Sequence, residues 1–348
     1  MLKSLKSAAV GVLALGLISG ASTFANAAET ITLKLHHLLP PVSFAHKGML
    51  VPWAEKVMKE SGGRLKIEIY PSMQLGGTPP QLADQARDGV VDIVWTLPGY
   101  TPGRFTKTEV FELPFMHTNT VATNLALSDY VEKHGDEYKD YKLISVFVHA
   151  GQVFHSHNPI RTVEDLKGMK IRTPTRTGGW MIEAMGATPV GAPVPKIPEM
   201  LSKKIVDAVL IPYEVTMPLK TYEMVDYHTT LGDPKVKRVN TSTFMIAMNK
   251  AKYDSLPADL QKVIDNNSGK NIARWLGEIW GVNAEAPGEA KAKESGELIV
   301  MSAAETAKLR AMTEGPVTDR WIKEMEKKGV DGQALVNEAH ALLDKYSK

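Results

Sequence analysis

Apolar and polar residues alternate along Ile31-Thr32-Leu33-Lys34-Leu35-His36, the period of a strand with one buried face. A loop with Pro40-Pro41 follows, and then Met49, Leu50, Trp53, Val57 and Met58 recur at helical spacing to about Glu60, where Ser61-Gly62-Gly63 stops the helix. Residues 65–70 alternate again and predict a second strand. After a turn-rich loop, a helix over 81–88 ends at Gly89. Val90-Val91-Asp92-Ile93-Val94-Trp95 is then nearly continuous in apolar residues, as in a strand covered on both faces.

The middle of the chain repeats the theme. Strands are predicted over 142–148, 169–172, 206–211 and 243–248, with a short helix over 163–167 and another over 177–185. From Pro257 the residues Leu260, Val263, Ile264, Ile272, Trp275, Leu276 and Ile279 mark one amphipathic helical segment through about Val282. A strand over 297–301 and two helices complete the chain. Alternating strands and helices predict mostly parallel sheets covered by helices, with ligand sites beyond the carboxyl ends of the strands. A length of 348 residues is enough for two such α/β lobes, and no repeat or low-complexity linker separates them.

Composition narrows the function. Lys and Arg number 41 against 39 Asp and Glu, and the balance is even once Lys3 and Lys6 are set aside, so no basic stripe invites nucleic acid. Those two lysines precede a short apolar run from Ala8 to Ile18 and the small residues Ala25-Asn26-Ala27, the layout of a secretory signal peptide over residues 1–27. The chain has no cysteine, which suits an oxidising compartment and removes thiol chemistry. After cleavage no further segment is apolar and long enough to span a membrane, and the expected location is the periplasm.

No nucleophile elbow, phosphate loop or dinucleotide fingerprint is present, and the reading needs neither enzyme chemistry nor a cofactor. Histidines 36, 37, 46, 155 and 157 have no neighbouring carboxylate in sequence, so no metal site is expected, although His46 and His155 remain candidates for ligand contact. Phe44, Trp95, Tyr100, Trp180, Tyr213 and Phe244 fall at or near predicted strand ends or helix starts, where they could wall a small-molecule crevice. Within Gly168-Met169-Lys170-Ile171-Arg172-Thr173-Pro174, Pro174 keeps Thr173 extended, so Arg172 ends a strand with its fork free to meet a carboxylate.

Taken in order, several stretches resemble the substrate-binding proteins of TRAP transporters, the periplasmic receptors for organic acids. They are Phe44-Ala45-His46-Lys47-Gly48, Tyr70-Pro71, Gln74-Leu75-Gly76, Gly89-Val90-Val91-Asp92-Ile93, Leu113-Pro114-Phe115, Asp165-Leu166-Lys167-Gly168-Met169-Lys170-Ile171-Arg172-Thr173-Pro174, Gly186-Ala187-Thr188-Pro189, Lys204-Ile205-Val206-Asp207-Ala208 and Asn249-Lys250. The resemblance implies a two-domain periplasmic-binding-protein-like (type II) fold with hinge strands and a long helix spanning both lobes. The expected first lobe is 28–151 with about 239–280, and the second is 152–238 with about 281–348. It further implies a carboxylate held by Arg172 and delivery to the membrane subunits of a TRAP permease. In the sialic-acid branch a second arginine stands where this chain has Gln152, and an asparagine where it has Ile211-Pro212-Tyr213. Those departures point to a smaller monocarboxylate with an apolar or aromatic part. A receptor for an ATP-driven importer or a sensor kinase, and a periplasmic enzyme acting on an organic acid, are the other readings.

Overall fold

The computed structural model describes residues 29–233 and 238–347; the expected leader lies outside them. Strands β1 (Ile31–His37), β2 (Leu65–Tyr70) and β3 (Ile93–Thr96) alternate with helices α1 (Val51–Glu60) and α2 (Leu82–Arg87), as the periodicity predicts. Both β2 and β3 pair with β1 in parallel. The strand expected over 90–95 starts late because Gly89 turns the chain at φ +74° and Val90 points outward, 63% exposed. Helix α3 (Thr120–His134) then covers this sheet. It buries Thr120, Thr123, Asn124 and Ser128 among its inward residues, so hydrophobic periodicity does not reveal it.

Strand β4 (Tyr141–Val148) is the last of the first lobe before the chain crosses over. The second lobe contains β5 (Val153–Ser156), β6 (Lys170–Thr173), α4 (Arg176–Ala184), β7 (Thr188–Gly191), α5 (Ile197–Ser202), β8 (Ala208–Ile211), α6 (Tyr213–Leu219) and β9 (Tyr227–Leu231). The chain then returns as β10 (Thr243–Asn249), which runs antiparallel between β3 and β4. Helices α7 (Lys250–Asp254), α8 (Ala258–Asn266), α9 (Lys270–Glu278) and α10 (Ala284–Ser295), strand β11 (Glu297–Met301), and helices α11 (Ala303–Glu326) and α12 (Gly332–Tyr346) follow. The two sheets have the orders β2-β1-β3-β10-β4 and β11-β9-β5-β8-β6-β7.

The helix expected from 257 to 282 is interrupted. Gly269 adopts φ +54° and ψ −131°, and its N–H turns to the carbonyl of Ile144 at 2.7 Å, which separates α8 from α9. From there α9 packs on α3 and α10 packs on α6, so residues 270–295 span both lobes with a kink at Gly281, ψ −123°. Helix α11 packs on α4, while α12 returns to α3 on the side of the first lobe. Among the described residues no helix is long and apolar enough to cross a membrane.

Between β4 and β5, and again before β10, the crossings lie side by side. Gln152 N–H donates to Asn240 O at 2.9 Å, and Thr241 Oγ1 donates to His149 O at 3.0 Å. Gly151 sits at φ +98°, and a Cβ there would stand 2.6 Å from that of Arg238. Closest approach also governs the long helix, since a Cβ on Gly277 would lie 2.5 Å from Val121 Cα. Overpacking by one methyl against backbone costs about 1–3 kcal/mol, more than the roughly 1 kcal/mol that alanine contributes to helix propensity. Gly277→Ala is therefore expected to lower the thermal unfolding midpoint, and an unchanged midpoint would show that α3 and α9 can separate at no cost.

Candidate functional site

Strand β6 ends at Arg172-Thr173 because Pro174 brings no N–H and Thr175 caps the next helix, its Oγ1 accepting from Gly178 N–H at 3.1 Å. Parallel pairing with β8 and β7, Arg172 opposite Val209 and Val190, fixes the direction of the side chain. The arginine is fully buried. Its Nε and Nη2 donate to Ala192 O at 2.8 and 2.6 Å, and Nη1 donates to Leu210 O at 3.3 Å. A guanidinium has five N–H bonds; these three carbonyl contacts leave one on each terminal nitrogen. Burial lowers its pKa to about 10, and the Tyr100 hydroxyl is the group that pulls it back up. At neutral pH the group is a buried cation to which no carboxylate among the described residues bonds.

Arg172 forms part of the wall of a narrow cavity between the lobes, faced from the other lobe by Trp95, Phe244, Leu38, Leu39 and Leu97. Trp95 stacks on Phe244 with centroids 5.2 Å apart, and Trp280 extends the stack behind them. Trp95 ends the buried strand β3, and Phe244 lies beside it on β10, so sheet register brings the two rings together. Gln152 lies at the hinge with its Nε2 donating to Ser242 Oγ at 2.9 Å, while its Oε1 is sealed from solvent and unpaired. The Trp95 Nε1–H is likewise buried without an acceptor.

Of the ten residues singled out from sequence, Arg172, Gln152, Trp95 and Phe244 border this cavity. Tyr100 touches Arg172, and its hydroxyl accepts the Val194 N–H at 3.0 Å. The other five line no part of it. Tyr213 and His155 turn into the second lobe, edge to face at 5.4 Å, with His155 Nδ1 2.6 Å from His228 Nδ1. His46 pairs with His37 at 2.9 Å, and Phe44 packs edge-on against Trp280. Trp180 sits between the guanidinium groups of Arg176 and Arg320, 4.9 and 4.6 Å from the ring centre.

Sequence reasoning missed His149, Ser242 and Glu214, all of which border the cavity. His149 is a neutral imidazole, its pKa pushed well down by burial, and its Nδ1 accepts the Gly151 N–H at 2.8 Å. Glu214 follows Tyr213 on the first turn of α6, where successive side chains diverge by about 100°. The turn that carries Tyr213 away from the cavity brings Glu214 to it. A carboxylate two residues after the proline that ends an apolar strand was the available signal.

The lobes also touch beside the cavity. Arg176 on α4 makes two bonds to Glu109 of the first lobe, at 2.7 and 2.6 Å. Next to it Thr177 Oγ1 donates to Glu112 Oε2 at 3.1 Å, and Thr243 donates twice to Glu112 Oε1. Burial holds the Glu112 carboxyl up at about 7 against these donors. Gly99 comes close enough to Thr175 that a Cβ would lie 2.5 Å from its methyl group.

Residues 35–337 match the family described as bacterial extracellular solute-binding protein, family 7. The chain is similar to the protein named outer membrane transporter protein TsaT of Comamonas testosteroni, 28% identical over 90% of this chain and 92% of that one. It is also similar to a solved TRAP solute-binding protein from a marine metagenome, specific for aromatic acid ligands and in complex with metahydroxyphenylacetate. That match is 44% identical over 91% of this chain and 100% of the other, with a TM-score of 0.88. A TRAP solute-binding protein from Rhodoferax ferrireducens, in complex with copurified benzoate, matches at 44% identity over 91% and 99%, with a TM-score of 0.89.

The Arg176–Glu109 pair joins the two lobes. Arg176→Ala removes its bonds to a carboxylate, interactions of about 1.5–3 kcal/mol each for charged groups. The variant is expected to populate an open form, read as a larger radius of gyration in small-angle scattering. An unchanged radius would mean that the pair does not help to hold the lobes together.

Proposed function

Because this chain belongs to the family-7 bacterial extracellular solute-binding proteins, which serve TRAP transporters, we propose that it holds one small aromatic monocarboxylate between its lobes. The carboxylate sits on Arg172 and the ring against Trp95 and Phe244, and the closed form presents the acid to the permease. The observation that carries this reading is the buried guanidinium of Arg172, a cation answered among the described residues by carbonyls and a hydroxyl at the wall of a largely apolar cavity. An isolated buried charge is expensive, and a ligand carboxylate is the partner that makes it favourable.

The solved relatives support the same reading. The aromatic acids named for the two solved relatives are single-ring monocarboxylates. A charge-assisted pair contributes about 1.5–3 kcal/mol, and burial of a ring face adds about 1.5–3 kcal/mol. Stacking adds about 0.5–1.5 kcal/mol, and neutral hydrogen bonds can carry the sum toward the roughly −8 kcal/mol of micromolar binding.

We infer that the protein works in the periplasm after loss of the leader through Ala27, in keeping with a family of extracytoplasmic receptors, and that it binds its acid without turning it over. The moving units we propose are 28–151 with about 239–280, and 152–238 with about 281–326. They would turn about residues 149–152, 238–242 and 279–283, while α12 stays with α3.

Arg172→Met keeps the bulk of the side chain and removes the charge. Its affinity for benzoate in calorimetry is expected to fall about a hundredfold, the equivalent of a 3 kcal/mol charged contact, with the far-ultraviolet circular dichroism retained. Undiminished affinity would remove Arg172 from the site.

A further inference from the structure

Glu214 is 5% exposed and borders the cavity, and its Oε2 is sealed from solvent with no hydrogen-bond partner among the described residues. Arg238 Nη2 bonds to Glu285 at 3.1 Å and its guanidinium lies over the Tyr213 ring, while its buried Nη1 makes no hydrogen bond to Glu214. Glu285 accepts the N–H groups of Tyr213 and Glu214 at 3.2 and 3.0 Å, so the carboxylate of Glu285 stands close behind Glu214. Burial first, and then the charge of Glu285, push the Glu214 carboxyl well above its ordinary range. Its Oε2 can accept a hydrogen bond whether or not the group carries a proton.

A buried carboxyl with no partner is costly unless the molecule that fills the cavity completes it. Among the described residues no side chain bonds that oxygen: Gln152 Nε2 donates to Ser242 Oγ, and Arg172 donates to Ala192 O and Leu210 O. Arg172 lies on β6 and Glu214 on α6, and both border the cavity. The two groups therefore mark separate points of one wall.

We propose that Glu214 is a second polar point of the cavity that takes a ring hydroxyl, so that the preferred ligands are aromatic monocarboxylates hydroxylated away from the carboxylate. The hydroxyl donates, and the unpartnered Glu214 Oε2 accepts. The acid's carboxylate occupies Arg172, its ring spans the apolar middle, and its hydroxyl at the meta or para position reaches Glu214. The inference rests on the aromatic-monocarboxylate reading of the same cavity and adds the residue that ranks ligands within that class.

Calorimetric titration of the full mature chain and of Glu214→Leu and Glu214→Gln with benzoate and with 2-, 3- and 4-hydroxybenzoate tests it. The wild type is expected to bind the 3- or 4-hydroxy acid on the order of ten- to a hundredfold more tightly than benzoate. Glu214→Leu brings that ratio close to one, while Glu214→Gln, which still accepts, keeps part of it. Thermal unfolding confirms that each variant is folded, and if the leucine variant does not fold, the wild-type ratio and Glu214→Met decide. A wild type that binds benzoate as tightly as every hydroxy isomer, a gain confined to the 2-hydroxy acid, or a preference undiminished in Glu214→Leu or Glu214→Met overturns the role of Glu214 and leaves the Arg172 reading standing. A folded wild type that binds none of the four acids overturns both.

Discussion

A charge taken out of water and left without a counter-charge is the constraint on which the site depends. Transfer of a guanidinium into an apolar interior is unfavourable by many kcal/mol unless its N–H groups are met. Here strand order meets part of that demand. Parallel pairing of β6 with β7 and β8 brings the carbonyls of Ala192 and Leu210 within reach of Arg172. Neutral carbonyls solvate the charge without cancelling it. The remaining attraction is directed to whatever anion enters, so the fold stores specificity for a carboxylate in an arrangement of backbone dipoles.

Tyr100 links this charge to the motion of the lobes. It belongs to the loop after β3 in the first lobe, yet its hydroxyl lies against Arg172 and accepts Val194 N–H in the second. Parting of the lobes would therefore remove one of the groups that stabilise the cation. The Arg176–Glu109 pair and the Thr177–Glu112 bond act in the same direction a short distance away. If a ligand binds only the closed form, its apparent affinity scales with the closed fraction, so these contacts tune affinity without touching the ligand.

Elements with strong apolar periodicity were readable in the sequence because burial of a face is what periodicity records; β1, β2, α2 and β10 are such cases. Segments whose inward residues are polar were not. Helix α3 buries Thr123 and Asn124, β5 and β9 bury His155 and His228, and the edge strand β7 contains Pro189. Their signal is hydrogen bonding to distant partners, which spacing along the chain does not encode. The same limit divides the site. Arg172, Trp95 and Phe244 end or lie within readable strands, whereas Tyr213 and Glu214 exchange roles through the rotation of one helical turn. Trp180 looked like a wall residue from its place at a helix start, but two arginines hold it between α4 and α11.

The poverty of the cavity in charge is itself selective. A dicarboxylate seated on Arg172 would have to put its second anion against the aromatic stack or near Glu214, behind which stands Glu285. The first place offers no donors beyond the Trp95 N–H, and in the second a negative charge would meet another negative charge. Repulsion between like charges at low dielectric outweighs what a single neutral donor returns. Replacing Gln152 by a second arginine would relax that exclusion, because the hinge end of the cavity would then carry a cation. One arginine, an unpaired amide oxygen and a buried carboxyl are together the chemistry of a site that admits one negative charge and counts the polar atoms at the far end of its ligand.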